Sequence, residues 1–170
     1  MQEAPQVLIM MGSDSDLAVM QEAADMLDRF GVPCEIRVSS AHRSPHRTAK
    51  LATEAAGRGV RVIIAGAGMA AHLAGVVASS TILPVIGVPM PGGALNGVDA
   101  LYATVQMPGG IPVATMAIGK AGAKNAAIFA VQVLALSDAR LAEALGEYRC
   151  ELEQEVARSD AELQAARAGA

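Results

Sequence analysis

The sequence predicts a three-layer α/β/α domain of flavodoxin-like architecture, in which helices cover both faces of a five-stranded parallel sheet. Five short apolar or β-branched runs, each bounded by Gly, Pro or Ser, have the length and composition of buried strands. Segments with apolar residues at helical spacing separate these runs. This alternation implies right-handed crossovers and strands buried on both faces, so ligands should bind beyond the carboxyl ends of the strands.

The elements can be placed in chain order from these patterns. Strands are predicted at residues 6–11, 33–38, 61–65, 84–88 and 112–117. Gly or Ser follows the first three, and Pro opens the second, fourth and fifth. Helices are predicted at residues 17–30, 45–57, 70–79, 98–106 and 123–136. Polar capping residues precede the first helix, and Pro45 occupies the first turn of the second, where the backbone N–H has no helical partner.

The composition of the chain changes at Ser137, where a helical pattern rich in charged residues follows the five-strand unit. Its apolar residues form a stripe at helical spacing: Leu141, Leu145, Tyr148, Leu152 and Val156. We therefore predict a single flavodoxin-like domain over residues 1–136 and a helical extension of the same domain over residues 137–170. The stripe can pack on its own domain or on a neighbouring subunit, and we expect the second arrangement.

Composition and charge argue against several classes of function. The chain of 170 residues is 52% hydrophobic, and its formal net charge of -4 comes without a basic run that would bind nucleic acid. Cys34 and Cys150 lack the spacing of metal ligands, which favours reduced thiols over a zinc site. Apolar runs are too short for a membrane span, and no signal-peptide pattern precedes the first strand. These features predict a cytoplasmic protein that binds neither nucleic acid nor a membrane.

The first candidate site is the turn after the first predicted strand, Gly12-Ser13-Asp14-Ser15-Asp16. Capping of the following helix needs only one of these polar side chains. Hydroxyls and free N–H groups at a helix start can also hold a phosphate, and a carboxylate such as Asp16 can accept from ribose hydroxyls. The residues alone leave capping and ligand binding equally open.

The second candidate site is the run SAHRSP at residues 40–45, which follows the second strand. Ser44 and Pro45 are explained by the start of a helix, but His42 and Arg43 are not. An imidazole can transfer protons near neutral pH, and a guanidinium can bind phosphate or carboxylate through its fork of donors. This loop therefore predicts an anionic ligand and a proton transfer, whereas His46, one residue inside the helix, is predicted to be a surface residue.

The third candidate site is the run GAGMAAH at residues 66–72. It matches the GxGxxA pattern of dinucleotide-binding folds, but it lies in the third strand-helix unit and no acidic residue follows at the distance that holds a ribose. We expect instead that its glycines allow the backbone to approach a ligand. His72 is either a second polar group of the site or part of the core.

Five ordered segments of the chain resemble the class I N5-carboxyaminoimidazole ribonucleotide mutases, enzymes of purine biosynthesis that move a carboxyl group within a ribonucleotide. The segments are GSDSD at 12–16, SAHRSP at 40–45, AGAGMAAHLAG at 65–75, LNGVDALYATVQMPGGIPVAT at 95–115 and AIGKAGAKNAA at 117–127. Ser44 stands where the family usually has Thr, and Ala74 where it usually has Pro, so no reactive group is lost. Arg43 resembles class I, whereas Lys there would indicate the related carboxylase that takes up free carbon dioxide.

The resemblance implies roles for the candidate residues. The residues implied to bind the ribonucleotide are Ser13, Asp16 and Arg43, with Ser15 and Ser40 nearby. We also assign His72 to the substrate-binding set. His42 is implied to be the acid–base residue, which protonates the exocyclic nitrogen and later removes a proton from the ring carbon, with no metal or organic cofactor.

The resemblance also implies a homo-octamer with its sites at subunit contacts. A core with only 2% aromatic residues and a C-terminal apolar stripe favour added burial between subunits. The same fold also hosts non-catalytic nucleotide- or flavin-binding modules, which remain an alternative, although few aromatic residues are available to stack on a flavin. A dinucleotide-dependent dehydrogenase is disfavoured by the missing acidic residue.

Overall fold

The computed structural model describes residues 4–168 and contains the predicted parallel sheet, in the order β2-β1-β3-β4-β5. The strands are β1 (Val7–Met11), β2 (Cys34–Val38), β3 (Val62–Ala67), β4 (Val85–Pro89) and β5 (Ala114–Thr115). The helices are α1 (Leu17–Arg29), α2 (Pro45–Glu54), α3 (Leu73–Ala78), α4 (Val98–Val105), α5 (Lys120–Ala135) and α6 (Ala139–Ala168). Single turns of 3-10 helix lie at Asp14–Asp16 and Ala56–Arg58. Every predicted strand and helix is therefore present, and the flavodoxin-like architecture is confirmed.

The central strands separate two apolar layers because alternate side chains point to opposite faces of a sheet. Val7 and Ile9 of β1 pack with α1, α5 and the start of α6, whereas Leu8 and Met10 pack with α2 and α3. All four side chains are fully buried. The core thus lies on both faces of β1, β3 and β4, and it fixes the positions of the loops that leave these strands.

The expectation that all five strands are buried on both faces is wrong for β2 and β5. Ile36 and Val38 of β2 are 36% and 45% exposed, and both residues of β5 are only half-buried. These strands are the two edges of the sheet, and within one chain the helical layers cover the central strands more completely. The edges of the sheet therefore leave apolar surface accessible.

The first half of α6 packs on its own domain. Leu141 and Tyr148 are buried against the α1 and α5 layer, and the Tyr148 ring meets the Phe30 ring edge to face at 5.6 Å between centroids. Farther along, Val156 is 70% exposed and Leu163 is 56% exposed. Leu145 and Leu152 also pack against this core, so four of the five residues of the stripe contact their own domain. Docking of the stripe on a neighbouring subunit stays a prediction, and residues 169 and 170 of the predicted extension lie outside the described range.

Several boundaries differ from the predicted ones. β5 covers only two of the predicted residues 112–117, α2 ends at Glu54 rather than at residue 57, and the starts of α3 and α5 differ for local reasons. α3 begins at Leu73 rather than at residue 70, because the chain turns at Met69, with φ of 54°, and the Ala71 and His72 N–H groups then donate to the carbonyls two residues earlier instead of making helical bonds. α5 begins three residues early, at Lys120, directly after Gly119, whose φ of 79° turns the chain sharply. Within residues 4–168, no helix combines the length and the hydropathy of a membrane span.

Candidate functional site

The loops after β1, β2, β3 and β4 meet at the carboxyl edge of the sheet and enclose a cavity of ≈ 380 Å³. Its walls come from four places in the sequence: Gly12, Ser13, Ser15 and Asp16; Ser40 and Arg43; Ala67, Gly68 and Met69; and Met90, Pro91, Gly92 and Gly93. A second cavity of ≈ 300 Å³ lies on the outer side of the first two loops and shares Gly12, Ser13, Ser40 and Arg43 with the first. The structure thus brings the first two predicted turns together around Arg43.

In the turn after β1, two of the predicted site residues cap the helical turn that follows. The Ser13 Oγ accepts from the Ser15 N–H at 3.3 Å, and the Asp16 Oδ2 accepts from the Ser13 N–H at 3.2 Å, which is a reciprocal capping box. Capping therefore accounts for both Ser13 and Asp16. It does not use the exposed Ser15 hydroxyl, and Ser13, Ser15 and Asp16 all line the larger cavity.

Burial raises the pKa of Asp16 above its ordinary value, because partial removal from water disfavours the charged carboxylate. The hydrogen bond from the Ser13 N–H acts in the opposite direction, the neighbouring Asp14 raises the pKa further, and the Arg43 guanidinium lowers it. The folded protein therefore binds the Asp16 proton more tightly than the unfolded chain does. Ionisation of Asp16 therefore opposes folding, and carboxyl groups with a raised pKa are common at functional sites.

We expect Asp16→Asn to raise the melting temperature near pH 7, where the native carboxylate is ionised. Because the folded-state pKa lies above 3.8, the contribution of Asp16 to stability decreases as pH rises through that pKa. The increase in melting temperature should therefore vanish near pH 3, where the Asp16 carboxyl is protonated in both the folded and the unfolded state. Thermal melts at the two pH values test this, with Asp25→Asn on the exposed face of α1 as a control. An equal gain at both pH values, or a loss near pH 7, would contradict it.

The turn after β2 is closed by its own hydroxyl groups. The Ser44 Oγ donates to the Ser40 carbonyl at 3.0 Å and accepts from the Ser40 N–H at 3.1 Å. The Arg43 N–H donates to the Ser40 Oγ at 3.2 Å. Ser40 and Ser44 thus shape the backbone that presents His42 and Arg43.

Arg43 reaches across the cavity mouth to the neighbouring loop, where its Nη2 donates to the Gly12 carbonyl at 2.9 Å. A guanidinium has five N–H donors, so most of them stay available to an anion. No carboxylate within residues 4–168 forms a salt bridge with Arg43. A cation held by a backbone carbonyl between two cavities is suited to phosphate or carboxylate recognition.

His42 points away from Arg43 and contacts His72 from the loop before α3. The His42 Nε2 and the His72 Nδ1 are 2.8 Å apart, and the two rings are nearly perpendicular, at 83°. One nitrogen must donate and the other accept, so the tautomers of the two rings are coupled. Both side chains are exposed, and neither lines the cavities around Arg43. The structure therefore places His72 against His42, at the rim of the site.

Gly66 lies near the end of β3, and core packing accounts for it. A side chain at this position would place its Cβ 2.5 Å from the Met20 Sδ and 2.9 Å from the Met90 Cε. Close approach of the Gly66 backbone to a ligand stays a prediction. Gly68 does line the larger cavity. His46 is exposed on α2, as predicted.

The fourth wall of the cavity was not among the predicted site residues. Met90, Pro91, Gly92 and Gly93 line it, with Gly92 and Gly93 at φ of 134° and 64°. The available signal was a Gly- and Pro-rich run directly after a buried strand, which offers backbone groups without a reactive side chain. In the described part of the chain, no group of three or more His, Cys, Asp or Glu residues is arranged to hold a metal ion.

Comparison with known proteins agrees with the resemblance. A family model described as AIR carboxylase matches residues 6–155. The chain is 54% identical over 154 residues to the N5-carboxyaminoimidazole ribonucleotide mutase of Pyrococcus horikoshii, covering 91% of this chain and 86% of that protein. It is 53% identical over 154 residues to the phosphoribosylaminoimidazole carboxylase of Candida albicans, covering 91% of this chain and 27% of that longer protein.

The fold has solved counterparts as well. The crystal structure of Treponema denticola PurE superposes with a TM-score of 0.83 at 30% identity, covering 94% of this chain and 98% of that chain. A matching family model over most of the chain, relatives above half identity and a shared tertiary structure all lead to one assignment. The chain belongs to the AIR carboxylase family.

Proposed function

We propose that this protein converts N5-carboxyaminoimidazole ribonucleotide to 4-carboxy-5-aminoimidazole ribonucleotide, a mutase step of purine biosynthesis. The observation that carries the proposal is that one short turn presents His42 and Arg43 in different directions. Arg43 lies on the Gly12 carbonyl between two cavities, while His42 meets His72 at the rim. A fixed cation beside a titratable imidazole suits an anionic substrate that must gain and lose a proton.

The ribonucleotide is proposed to bind across the first two turns. The Arg43 guanidinium and the hydroxyls of Ser13, Ser15 and Ser40 surround the cavity and supply donors for a phosphate. Asp16 supplies a carboxylate that accepts from ribose hydroxyls. The backbone at Gly68 and at residues 90–93 forms the opposite wall, where a flat heterocycle can lie close to the chain.

His42 is proposed to donate one proton to the substrate and to take one proton back from it in each turnover. The bond between the exocyclic nitrogen and the carboxylate carbon breaks, its electron pair stays on the nitrogen, and His42 protonates that nitrogen as carbon dioxide leaves. The ring carbon then attacks the same carbon dioxide and returns its proton to the imidazole. A positioned acid–base group of this kind contributes about 10²- to 10⁴-fold to the rate. Substrate contact by His72 stays a prediction, and its bond to His42 supports a role through that ring.

An interconversion assay tests the function directly. The protein should convert N5-carboxyaminoimidazole ribonucleotide to the 4-carboxy product without ATP or added bicarbonate. A second arm supplies aminoimidazole ribonucleotide with bicarbonate, because the Candida albicans relative is named a carboxylase. Turnover in the second arm alone would assign the carboxylase reaction to this chain. Tight nucleotide or flavin binding without turnover in either arm would favour a non-catalytic binding module.

Arg43→Ala should mainly raise the KM, because the arginine is proposed to grip the anionic part of the ribonucleotide and not to transfer protons. Loss of charged hydrogen bonds predicts a roughly 10- to 100-fold increase. Arg47→Ala, which removes an exposed arginine one turn along α2, serves as the control and should leave the KM unchanged. A variant at position 43 with an ordinary KM and a collapsed kcat would contradict this division of roles.

We also propose a homo-octamer with the sites at subunit contacts. Exposed apolar side chains support this proposal. They lie on one face of α4, at Val98, Tyr102 and Val105, and on the distal half of α6. The cavity of one chain does not enclose His42, so a neighbouring chain has room to complete the site. Light scattering should give the mass of eight chains, and a monomer would overturn the proposal. The cytoplasmic location stays a prediction from the sequence.

A further inference from the structure

Two hydroxyl side chains are buried beneath the turn that carries His42 and Arg43. Ser39 follows the end of β2 and is 2% exposed, and Thr48 lies in the first turn of α2 and is 0% exposed. Their hydroxyl oxygens are 2.8 Å apart. Buried hydroxyls require hydrogen-bond partners, and these two supply one for each other.

The hydrogen bonds around this pair have a defined direction. The Thr48 Oγ1 donates to the Ser44 carbonyl at 3.2 Å, so its lone pairs are left to accept the proton of Ser39. The Ser39 N–H donates to the Met11 carbonyl at 2.8 Å. The resulting chain of bonds runs from the end of β1 through Ser39 and Thr48 to Ser44. It joins both ends of the turn to the sheet.

His42 depends on this turn more than Arg43 does. Arg43 has its own anchor on the Gly12 carbonyl, which lies on another loop. His42 has its side-chain hydrogen bond to His72, whose ring is itself exposed on a loop. The position of the imidazole is therefore set largely by the backbone of residues 40–44, and that backbone is held from below by the two buried hydroxyls.

We propose that Ser39 and Thr48 are positioning residues for the acid–base chemistry of His42. The inference rests on the proposed function, since it assigns the pair to proton transfer and not to substrate binding. The hydrogen bond between Ser39 and Thr48 fixes the distance and angle at which the His42 imidazole meets the exocyclic nitrogen and the ring carbon of the substrate. Small displacements of a reacting group are costly because the transfer requires a near-attack geometry.

Three variants separate positioning from simple stabilisation. Thr48→Val keeps the shape of the side chain but leaves the Ser39 hydroxyl buried without a partner, so it should lower both the melting temperature and the kcat. Ser39→Ala combined with Thr48→Val removes both polar groups and should restore much of the melting temperature. The kcat of this double variant should nevertheless stay about tenfold down with a KM near the native value. Thr48→Ser keeps the hydroxyl, so its kcat should stay near the native value.

Thr104→Val is the matched control. Thr104 is a buried threonine whose Oγ1 donates to the carbonyl four residues earlier, at 2.7 Å, as Thr48 does, but it lies in α4 away from His42. It should lower the melting temperature and leave the kcat of the folded protein unchanged. An equal loss of kcat in this variant, or a double variant with native kcat, would overturn the proposal.

A readout independent of turnover keeps this test apart from the test of function. The chain has only three histidines, so ¹⁵N-histidine labelling yields ring signals that single substitutions can assign. The coupled tautomer signature of His42 and His72 should be lost in the double variant and retained in Thr104→Val. If the native protein shows no mutase turnover, the proposed function fails. Native histidine signals in the double variant would instead refute the positioning role.

Discussion

We expect His42→Asn to lose most of its mutase turnover and to retain binding of the ribonucleotide. Asparagine retains hydrogen-bonding capacity but cannot exchange a proton near neutral pH, so both proton transfers lose their acid–base group. The loss of kcat should be about 10²- to 10⁴-fold. Arg43 keeps its bond to the Gly12 carbonyl in this variant, and the first turn keeps its capping box, so the groups proposed to hold phosphate and ribose are unchanged.

Steady-state kinetics and calorimetric titration with the 4-carboxy product measure the two effects separately. His46→Asn is the control, because it makes the same replacement on the exposed face of α2, four residues along the chain. It should leave both kcat and affinity unchanged. Near-native turnover in the variant at position 42 would refute the assignment of the acid–base role, and loss of binding with an unchanged kcat would move His42 to the substrate-binding set.

We expect Gly122→Ala to prevent folding or to lower the free energy of unfolding sharply. A Cβ at this position in α5 would lie 1.6 Å from the Ala117 carbonyl oxygen and 2.6 Å from its carbon. Both are backbone atoms, so no side-chain rotation relieves the overlap, and the backbone at Ala117 and the start of α5 must move apart. The cost should exceed the roughly 1–3 kcal/mol of ordinary overpacking. That is a large fraction of the roughly 5–15 kcal/mol that separates a folded domain from its unfolded chain.

Gly146→Ala makes the same change where there is room for it. Gly146 lies within α6 with nothing within 4 Å of the added Cβ, so the substitution should stabilise the helix by up to about 1 kcal/mol. Thermal and denaturant unfolding of the two variants should therefore give opposite signs. A variant at position 122 that melts within a few degrees of the native protein would contradict the prediction, because it would show that the start of α5 can shift with little loss of stability.

Local patterns were sufficient for the elements and for two of the loops that form the site. Strands β1, β3 and β4 are apolar runs with Gly or Pro at their boundaries, and β2 is an alternating run between Pro33 and Ser39. Each of these strands can be recognised from its local sequence alone. Arg43 and Asp16 follow directly after such strands, so their meeting at one edge of the sheet was predictable from the parallel topology. The family resemblance rested on the same loops, and the comparisons confirm it.

Other features depended on contacts between residues far apart in the sequence. β2 alternates apolar residues with the charged residues Glu35 and Arg37, as edge strands often do, but only the order of the sheet shows that Ile36 and Val38 lie at an edge and are exposed. Gly66 satisfies a ligand-binding pattern, yet the methionines packed against it explain why a larger residue is excluded. No periodicity indicates that the His42 and His72 rings share a hydrogen bond, because these residues belong to different strand-helix units.

The layered α/β architecture, the family and the loops with the candidate side chains could all be predicted from the sequence. Each of these depends on local composition or on the order of elements along the chain. The folded chain was needed to show that Arg43 donates to the Gly12 carbonyl, that His42 bonds to His72 and that the Ser39 and Thr48 hydroxyls bond to each other. Those contacts arise from the relative placement of separate elements, and that placement is set by the packing of helices on both faces of one sheet.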